Sequence, residues 1–233
     1  MISLELQWFL PIHATLSING VLLKFMGIII YPLQIVILFL TITIHEFSHG
    51  MCAYLLGDDT AKRAGRLTLN PISHIDIMGA IMLFVARFGW AKPVPVNPNN
   101  FTNPKIHMAF VGAAGPAANF IMAMIFSVIY RMNTSILFTS ISTVIFGSLL
   151  QYTIFINLGL GLFNLLPIPP LDGSRILGGF LSDRAHFAFF YNERKWAAFL
   201  MLILMLSFVF KLNIIGRIIT PPITFFFKLL TGI

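Results

Sequence analysis

The chain has 233 residues, of which 58% are hydrophobic and only 10% are charged, whereas a soluble globular domain has about 25% charged residues. This composition excludes a large soluble domain and indicates a protein that lies mostly within a lipid bilayer. The net charge is +7, but the Lys and Arg residues are scattered among apolar segments and form no basic stripe, which argues against a nucleic-acid partner.

Membrane spans are the first elements that the sequence predicts, because a bilayer crossing needs about 20 mostly apolar residues. Six apolar segments are predicted to be spans: Trp8–Leu23, Ile28–Leu56, Ile106–Tyr130, Ser148–Leu166, Trp196–Phe210 and Ile214–Leu230. A surface or partly inserted helix is predicted just before the fourth span, near Ile136–Phe146. The expected fold class is an all-α polytopic membrane protein with about six transmembrane helices.

The distribution of Lys and Arg predicts how these spans are oriented. In the six-span layout most of them fall on the side of the bilayer that holds the Gly57–Lys105 connection. Positive charge favours the cytoplasmic side of a membrane. We therefore expect a multi-pass protein of the inner (cytoplasmic) membrane, with its N-terminus in the cytoplasm.

The long connection between the second and third spans carries signals of its own. Arg66–Leu69 and Lys92–Val96 alternate in the manner of short strands, and the prolines of the second allow only an edge strand or an extended segment. Ile77–Val85 is apolar but too short to cross, as a re-entrant segment would be. We expect a small membrane-associated β-hairpin and re-entrant segment between the second and third helices, whose Lys92, Val94 and Val96 dock an extended substrate by strand addition. A hairpin with a purely structural role is the alternative.

The residues that indicate chemistry are His45-Glu46-Phe47-Ser48-His49, within the second predicted span. Two histidines four residues apart lie on one face of a helix, so both rings can reach one metal ion. Glu46 lies beside them, placed to take a proton from an attacking water. Ionisable groups at membrane depth are costly and indicate a functional site.

A catalytic zinc site needs a third protein ligand, and the sequence offers few candidates. Cys52 could be read as a ligand, although a small packing residue is the alternative that we favour. Glu193 lies in a charged loop. Asp172 ends an apolar run, Asn164–Gly173, whose three prolines interrupt a membrane helix, and such irregular backbone is tolerated mainly where it lines a cavity. Asp172 is therefore the predicted third ligand.

Charge balance supports this choice of ligand. The two positive charges of Zn²⁺ are matched by ionised Asp172 and Glu46 when both imidazoles are neutral. A site with no net charge avoids the large cost of burying an uncompensated charge in a medium of low dielectric constant.

Taken together, these motifs resemble the site-2 protease family of intramembrane zinc metalloproteases, in its compact bacterial branch, peptidase family M50. The resemblance covers about residues 28–181 and rests on five motifs: His45–His49, Leu69–Asp76, Gly89–Pro98, Gly115–Asn119 and Asn164–Gly173. It implies a single integral-membrane protease domain over residues 1–233 with its catalytic core at 28–181, the further spans around it, and no PDZ or CBS domain.

By motif position, the resemblance implies one zinc ion held by His45, His49 and Asp172, with Glu46 as general base. It also implies that Asn119 and Asn164 position the substrate or stabilise the oxyanion. The alternatives are that Asn119 joins helices and that Asn164 satisfies carbonyls freed by the prolines. The implied substrate is a peptide bond in or near the span of another membrane protein, such as an anti-sigma factor or a signal-peptide remnant.

Two other functions remain open at this stage. One is a non-enzymatic membrane protein or transporter, in which the histidines hold a structural or transported metal. The other is a membrane zinc protease of a different class, acting on prenylated or cytosolic peptides, which requires a Glu ligand in a helix.

Overall fold

The computed structural model describes residues 20–86, 89–137, 139–212 and 214–233, which form helices joined by turns and extended connections. The helices are α1 (Gly20–Leu55), α2 (Thr60–Arg63), α3 (Ile77–Ala86), α4 (Pro104–Met132), α5 (Ile141–Asn164), α6 (Asp172–Phe180), α7 (Asp183–Tyr191), α8 (Glu193–Val209) and α9 (Ile214–Thr231), with short 3₁₀ turns at Pro71–His74 and Pro98–Asn100.

The centre of the fold is a bundle in which α4 packs against α1, α5 and α6, while α9 packs against both α5 and α4. Its core consists of apolar side chains from α4, α5 and α9 together with Leu137, and the buried members are Ala123, Tyr130, Leu137, Leu150, Ile154, Leu158, Ile219 and Ile223. Large apolar side chains elsewhere on these helices are exposed, as expected of a surface that faces lipid rather than water.

In the described part of the chain, four helices are long and apolar enough to cross a membrane: Gly27–Leu55, Pro104–Met132, Ile141–Asn164 and Ile214–Thr231. The prediction of six spans is therefore not supported. Trp8–Leu23 lies almost wholly outside the described residues. Trp196–Phe210 falls mostly in α8, which has 17 residues and begins with Glu193, Arg194 and Lys195, so its apolar part is too short.

The prediction of a separate helix near Ile136–Phe146, before the fourth span, is wrong. α5 runs without a break from Ile141 to Asn164. Ser140 starts it with a capping box, since its hydroxyl accepts a hydrogen bond from the Thr143 backbone while the Thr143 hydroxyl accepts one from the Ser140 N–H. Gly147 and Ser148 are buried against the neighbouring helices, and these small residues permit close packing there.

The predicted β-hairpin is also absent from the described residues, where a single antiparallel bridge between Ile75 and Ala91 is the sole β contact. The alternating pattern of Lys92–Val96 does give an extended chain, but Pro93 and Pro95 supply no N–H. Val94 N donates instead to Glu46 Oε2 at 3.0 Å. Between the bridging residues lies α3, whose 10 residues span only about 15 Å.

Both ends of the extended segment Lys92–Asn97 are fixed by hydrogen bonds. At one end, Lys92 N donates to His74 O and Lys92 O accepts from Arg66 Nη2, at 3.0 and 2.8 Å. At the other, Asn97 N donates to Asp58 Oδ2 at 2.8 Å, and Asn100 Nδ2 donates to Asp58 Oδ1 at 2.6 Å. Asp58 follows the end of α1, so it ties this segment to the helix that carries the histidines.

Because Asp58 is buried and accepts several hydrogen bonds, we expect Asp58→Ala to destabilise the protein by about 1–3 kcal/mol through unpaired donors. Burial opposes ionisation, but hydrogen bonds from Thr60, Asn97 and Asn100 outweigh it and lower the Asp58 pKa. A carboxylate with a lowered pKa stabilises the fold above its unfolded pKa and stops doing so as pH falls through the folded value.

Thermal unfolding in detergent at neutral pH and at about pH 3 tests both statements. The difference between the parent and Asp58→Ala proteins should shrink at the acidic pH. Asp59→Ala is the matched control, since the Asp59 side chain is 48% exposed and forms an ion pair with Arg63. Equal loss in both variants would contradict the role given to Asp58.

Candidate active site

Helix α1 carries three of the predicted site residues on its C-terminal half. The His45 and His49 rings lie edge to face with centroids 4.6 Å apart, as the four-residue spacing predicts. Both histidines are buried, whereas Glu46 is half-buried on the adjoining face. At a rise of about 1.5 Å per residue, His45 and His49 lie about 15 and 9 Å before the end of the helix at Leu55.

Asp172 reaches this site from the proline-containing connection between α5 and α6. α5 ends at Asn164, and α6 begins at Asp172 itself. A Cβ added to Gly173 would overlap the backbone of Leu165 and Leu166, so glycine lets the turn fold back on itself. The prolines end α5, and this close return brings the Asp172 carboxylate back to the histidine pair.

Three ligand atoms converge at the site. Asp172 Oδ2 lies 3.0 Å from His45 Nε2 and 3.3 Å from His49 Nε2, and the two Nε2 atoms are 3.0 Å apart. Among the described residues, this is the one group of three His, Cys, Asp or Glu side chains placed to hold a metal ion. Cys52 is outside it and packs instead against an apolar cluster containing Ala53, Phe101 and Val111.

Two glycines on α4 allow α1 and α6 to pack closely against it. A Cβ at Gly115 would lie 2.5 Å from His49 Nε2 and 2.7 Å from His45 Cε1. A Cβ at Gly112 would lie 2.8 Å from Arg175 Cβ and 3.0 Å from Asp172 O. Gly115 begins one of the five motifs on which the family resemblance rests, and its missing side chain leaves space for both rings.

The donor set fits a zinc ion. His49 Nδ1 lies 2.6 Å from the Val111 carbonyl oxygen, and since a carbonyl only accepts, Nδ1 carries the hydrogen and a neutral ring presents its Nε2 lone pair to the site. Asp172 Oδ2 is buried and has no hydrogen-bond donor in the described chain. Lone pairs gathered in this way repel one another unless a cation lies among them. Two imidazoles and one carboxylate are a known ligand set of catalytic zinc.

Glu46 has one carboxylate oxygen engaged and one available. Oε2 accepts the hydrogen bond from Val94 N, and Oε1 accepts none from the described residues. The contact places the extended segment directly against the predicted base. The Val94 side chain is buried, 3.1 Å from where a Cβ at Gly50 would stand, so the segment packs against the face of α1 next to the histidines.

The two predicted substrate-binding asparagines lie in different surroundings. Asn119 is fully buried, with Oδ1 2.6 Å from His45 Nδ1 and Nδ2 3.0 Å from Asn157 Oδ1. Asn164 is half-buried and donates to Leu160 O of its own helix at 3.0 Å. Sequence reasoning missed Asn157. An amide in an apolar span with small residues nearby was the available signal, but it had no motif spacing to draw attention to it.

Comparison with known proteins agrees with this geometry. Residues 33–208 match peptidase family M50. The chain is 45% identical to YwhC of Bacillus subtilis (strain 168) over 152 residues, which cover 63% of this chain and 68% of YwhC. It is 27% identical to Rip2 of Mycolicibacterium smegmatis over 213 residues, covering 85% and 79% of the two chains.

A further relative is zinc metalloprotease MJ0392 of Methanocaldococcus jannaschii, 29% identical over 192 residues that cover 80% of this chain and 46% of that protein. No solved structure matches the chain significantly. Because the chain belongs to a peptidase family, we conclude that it is an enzyme and not a metal transporter. The family match covers α1, α4, α5 and α6, the helices that build the site. The chain belongs to peptidase family M50 and is a zinc metalloprotease of the membrane.

Proposed function

We propose that this protease hydrolyses a peptide bond within or next to the membrane span of another protein, with His45, His49 and Asp172 as zinc ligands and Glu46 as general base. The observation that carries the proposal is the convergence of Asp172 Oδ2 on both Nε2 atoms, at 3.0 and 3.3 Å. The depth of the histidines, about 9–15 Å from the end of α1, supports chemistry inside the bilayer, whose apolar core is about 30 Å thick.

In this mechanism His45, His49 and Asp172 would hold a zinc ion, which would supply polarisation of the scissile carbonyl and acidification of water. Glu46 Oε1, which accepts no hydrogen bond from the described residues, takes the proton of the attacking water and later delivers it to the leaving amine. The Val94 N–H holds Oε2 and thereby fixes the plane of the carboxylate. Asn164 is proposed to contact the substrate or its developing oxyanion, a role in which an amide donor is worth about 3 kcal/mol.

A membrane-spanning substrate must unwind locally, because a helix hides its carbonyl groups in hydrogen bonds. We propose that the segment Lys92–Val96 then holds it in extended form. The N–H groups of Lys92 and Val94 donate to protein neighbours, His74 O and Glu46 Oε2. Residues two apart in an extended chain direct their polar backbone groups to the same side, so those of Val96 also face the side of Glu46. The Val96 N–H and C=O have no partner in the described chain, and they are therefore available to a substrate strand that pairs beside Glu46.

This docking role predicts that Val96→Pro, which removes that N–H, lowers the cleavage rate of a model transmembrane substrate by about five- to tenfold, the effect of one hydrogen bond of about 1 kcal/mol or slightly more. Val96→Thr is the matched control because it keeps the donor and the branched shape. The two variants are compared at equal zinc content, by initial rates at subsaturating substrate. Similar rates in both would reject the docking role.

Metal removal tests the proposed function as a whole. Incubation with a chelator should abolish cleavage by the purified protein, and added Zn²⁺ should restore it. Asp172→Ala should lose bound zinc, measured by elemental analysis, because a two-ligand site binds far more weakly. Asp183→Ala is the control, since Asp183 is 96% exposed and pairs with Lys105. Retention of stoichiometric zinc and activity by Asp172→Ala would refute the ligand set.

We also propose an orientation in the cytoplasmic membrane. Between the four candidate spans, the connections 56–103 and 165–213 fall on one side and contain most of the Lys and Arg. The positive-inside tendency places that side in the cytoplasm, and with it the end of α1 nearer the active site. A cytoplasmic N-terminus then requires one further crossing on the N-terminal side of α1. The partners of the protease are the bilayer and its membrane-protein substrate.

A further inference from the structure

A chain of buried amides connects the interior of the helix bundle to the first zinc ligand. Asn157, on α5, donates from Nδ2 to Thr153 O at 2.8 Å and to Thr41 Oγ1, on α1, at 3.2 Å. Its Oδ1 accepts from Asn119 Nδ2, on α4, at 3.0 Å. Asn119 Oδ1 lies 2.6 Å from His45 Nδ1. Thr41, Asn119 and Asn157 are at most 3% exposed, so water does not replace these contacts.

The direction of every hydrogen bond in this chain follows from its first acceptor. The Thr153 carbonyl oxygen can only accept, so the Asn157 side chain must present its NH₂ group there and its oxygen to Asn119. Asn119 must then donate to that oxygen, which turns its own Oδ1 toward His45. An amide oxygen only accepts, so the His45 Nδ1 must carry a hydrogen. In the neutral ring, the lone pair is thus left on Nε2, the atom that faces Asp172.

We propose that Asn157 and Asn119 are positioning residues of the proteolytic reaction, which set the tautomer and orientation of His45 so that its Nε2 is ready for zinc. The tautomer of His49 is set in the same way by a single partner, the Val111 carbonyl. His45 instead bonds to the side-chain oxygen of Asn119, and an amide group can rotate so that its oxygen and nitrogen exchange places. Asn157 prevents this rotation of Asn119.

The surroundings make this arrangement effective. A metal-ligating histidine depends on the acceptor bound to its other nitrogen, and loss of such partners typically costs 10–100-fold in metal affinity. A rotated Asn119 would place its oxygen against Asn157 Oδ1 and its NH₂ group against the His45 N–H. Both contacts are repulsive, so the buried amide chain has one favourable arrangement.

This inference rests on the proposed zinc ligands, and its test is zinc affinity rather than cleavage. We expect Asn157→Leu, similar in size, to weaken zinc binding about 10–100-fold in chelator competition with the purified full-length protein. The absorption spectrum of the Co²⁺-substituted protein should change as well, since His45 loses its fixed orientation. Asn157→Asp, with its buried carboxyl group protonated, should bind within about threefold of the parent, because that group still accepts from Asn119 and donates to the Thr153 carbonyl.

Gln151→Leu is the matched control. Gln151 is also a buried amide of α5, and it donates to the Tyr130 hydroxyl of α4 at 2.9 Å, so its loss weakens the same helix pair without touching the chain to His45. Zinc affinity equal to the parent in Asn157→Leu, or an equal loss in Gln151→Leu, overturns the inference, as does a loss in Asn157→Asp as large as that in Asn157→Leu. If Asn157→Leu fails to fold, Asn157→Ala carries the same expectation without added bulk.

The two proposals fail in different ways. A parent protein that binds no zinc, or an Asp172→Ala protein that keeps it, refutes the ligand set. A parent that loses zinc on Asp172→Ala but not on Asn157→Leu refutes only the positioning role.

Discussion

Glu46→Gln is expected to lower the cleavage rate of a model transmembrane substrate by about 10²–10⁴-fold, the usual contribution of a general acid–base group, while zinc content stays at the parent level. The amide is similar in shape to the carboxylate, but it cannot accept the proton of the attacking water. Its oxygen can still accept the hydrogen bond from Val94 N, so the extended segment should remain in place. Rates from purified protein and elemental analysis of zinc provide the two measurements.

Glu193→Gln is the matched control for this substitution, because Glu193 pairs with Arg175 at the start of α8, away from the histidines. Its activity should stay close to that of the parent, since ion pairs of this partly exposed kind contribute about 0–1 kcal/mol. Cleavage by Glu46→Gln at the parent rate, with contaminating protease excluded, would rule out Glu46 as the base.

Gly115→Ala is expected to weaken zinc binding and to lower the cleavage rate by about 100-fold, the effect of a displacement of about 1 Å in a catalytic constellation. The added Cβ would stand 2.5 Å from His49 Nε2 and 2.6 Å from His49 Cε1, so the rings must move. Because this contact falls on the ligating edge of His49, the damage concerns the metal more than the helix packing. Chelator competition and initial rates test it.

Gly159→Ala provides the comparison for this second prediction. Gly159 is a helical glycine of α5, but a Cβ there would meet only Ile223 Cδ1 at 3.5 Å, an ordinary contact. It should fold and bind zinc as the parent does. An equal effect in both variants would mean that any added methyl group disturbs the bundle, and an unchanged Gly115→Ala would contradict the close contact.

The parts of the site that sequence reasoning could predict are those with a local cause. His45 and His49 share a helix face because of their spacing, and Asp172 follows three closely spaced prolines that interrupt an apolar run. Asn157 could not be assigned in this way. Its importance depends on which helix face meets Asn119, and that is set by the packing of α4 against α5.

The errors about the fold have a similar origin. Alternation in Lys92–Val96 predicts extended backbone correctly, but it cannot show that Val94 N finds Glu46, 48 residues away in the chain, instead of a second strand. Runs of apolar residues likewise predict spans by length alone. They do not distinguish α8, which begins with charged residues and remains short, from α9, which continues through Pro221 and Pro222.

The contact between Val94 and Glu46 has a consequence for control of the enzyme. The element proposed to hold the substrate and the group that handles the proton share one hydrogen bond, so neither can shift without disturbing the other. Arrival of an unwound chain at this segment therefore alters the surroundings of the carboxylate at the moment when it is needed. The resting enzyme would therefore discriminate against membrane helices that do not unwind.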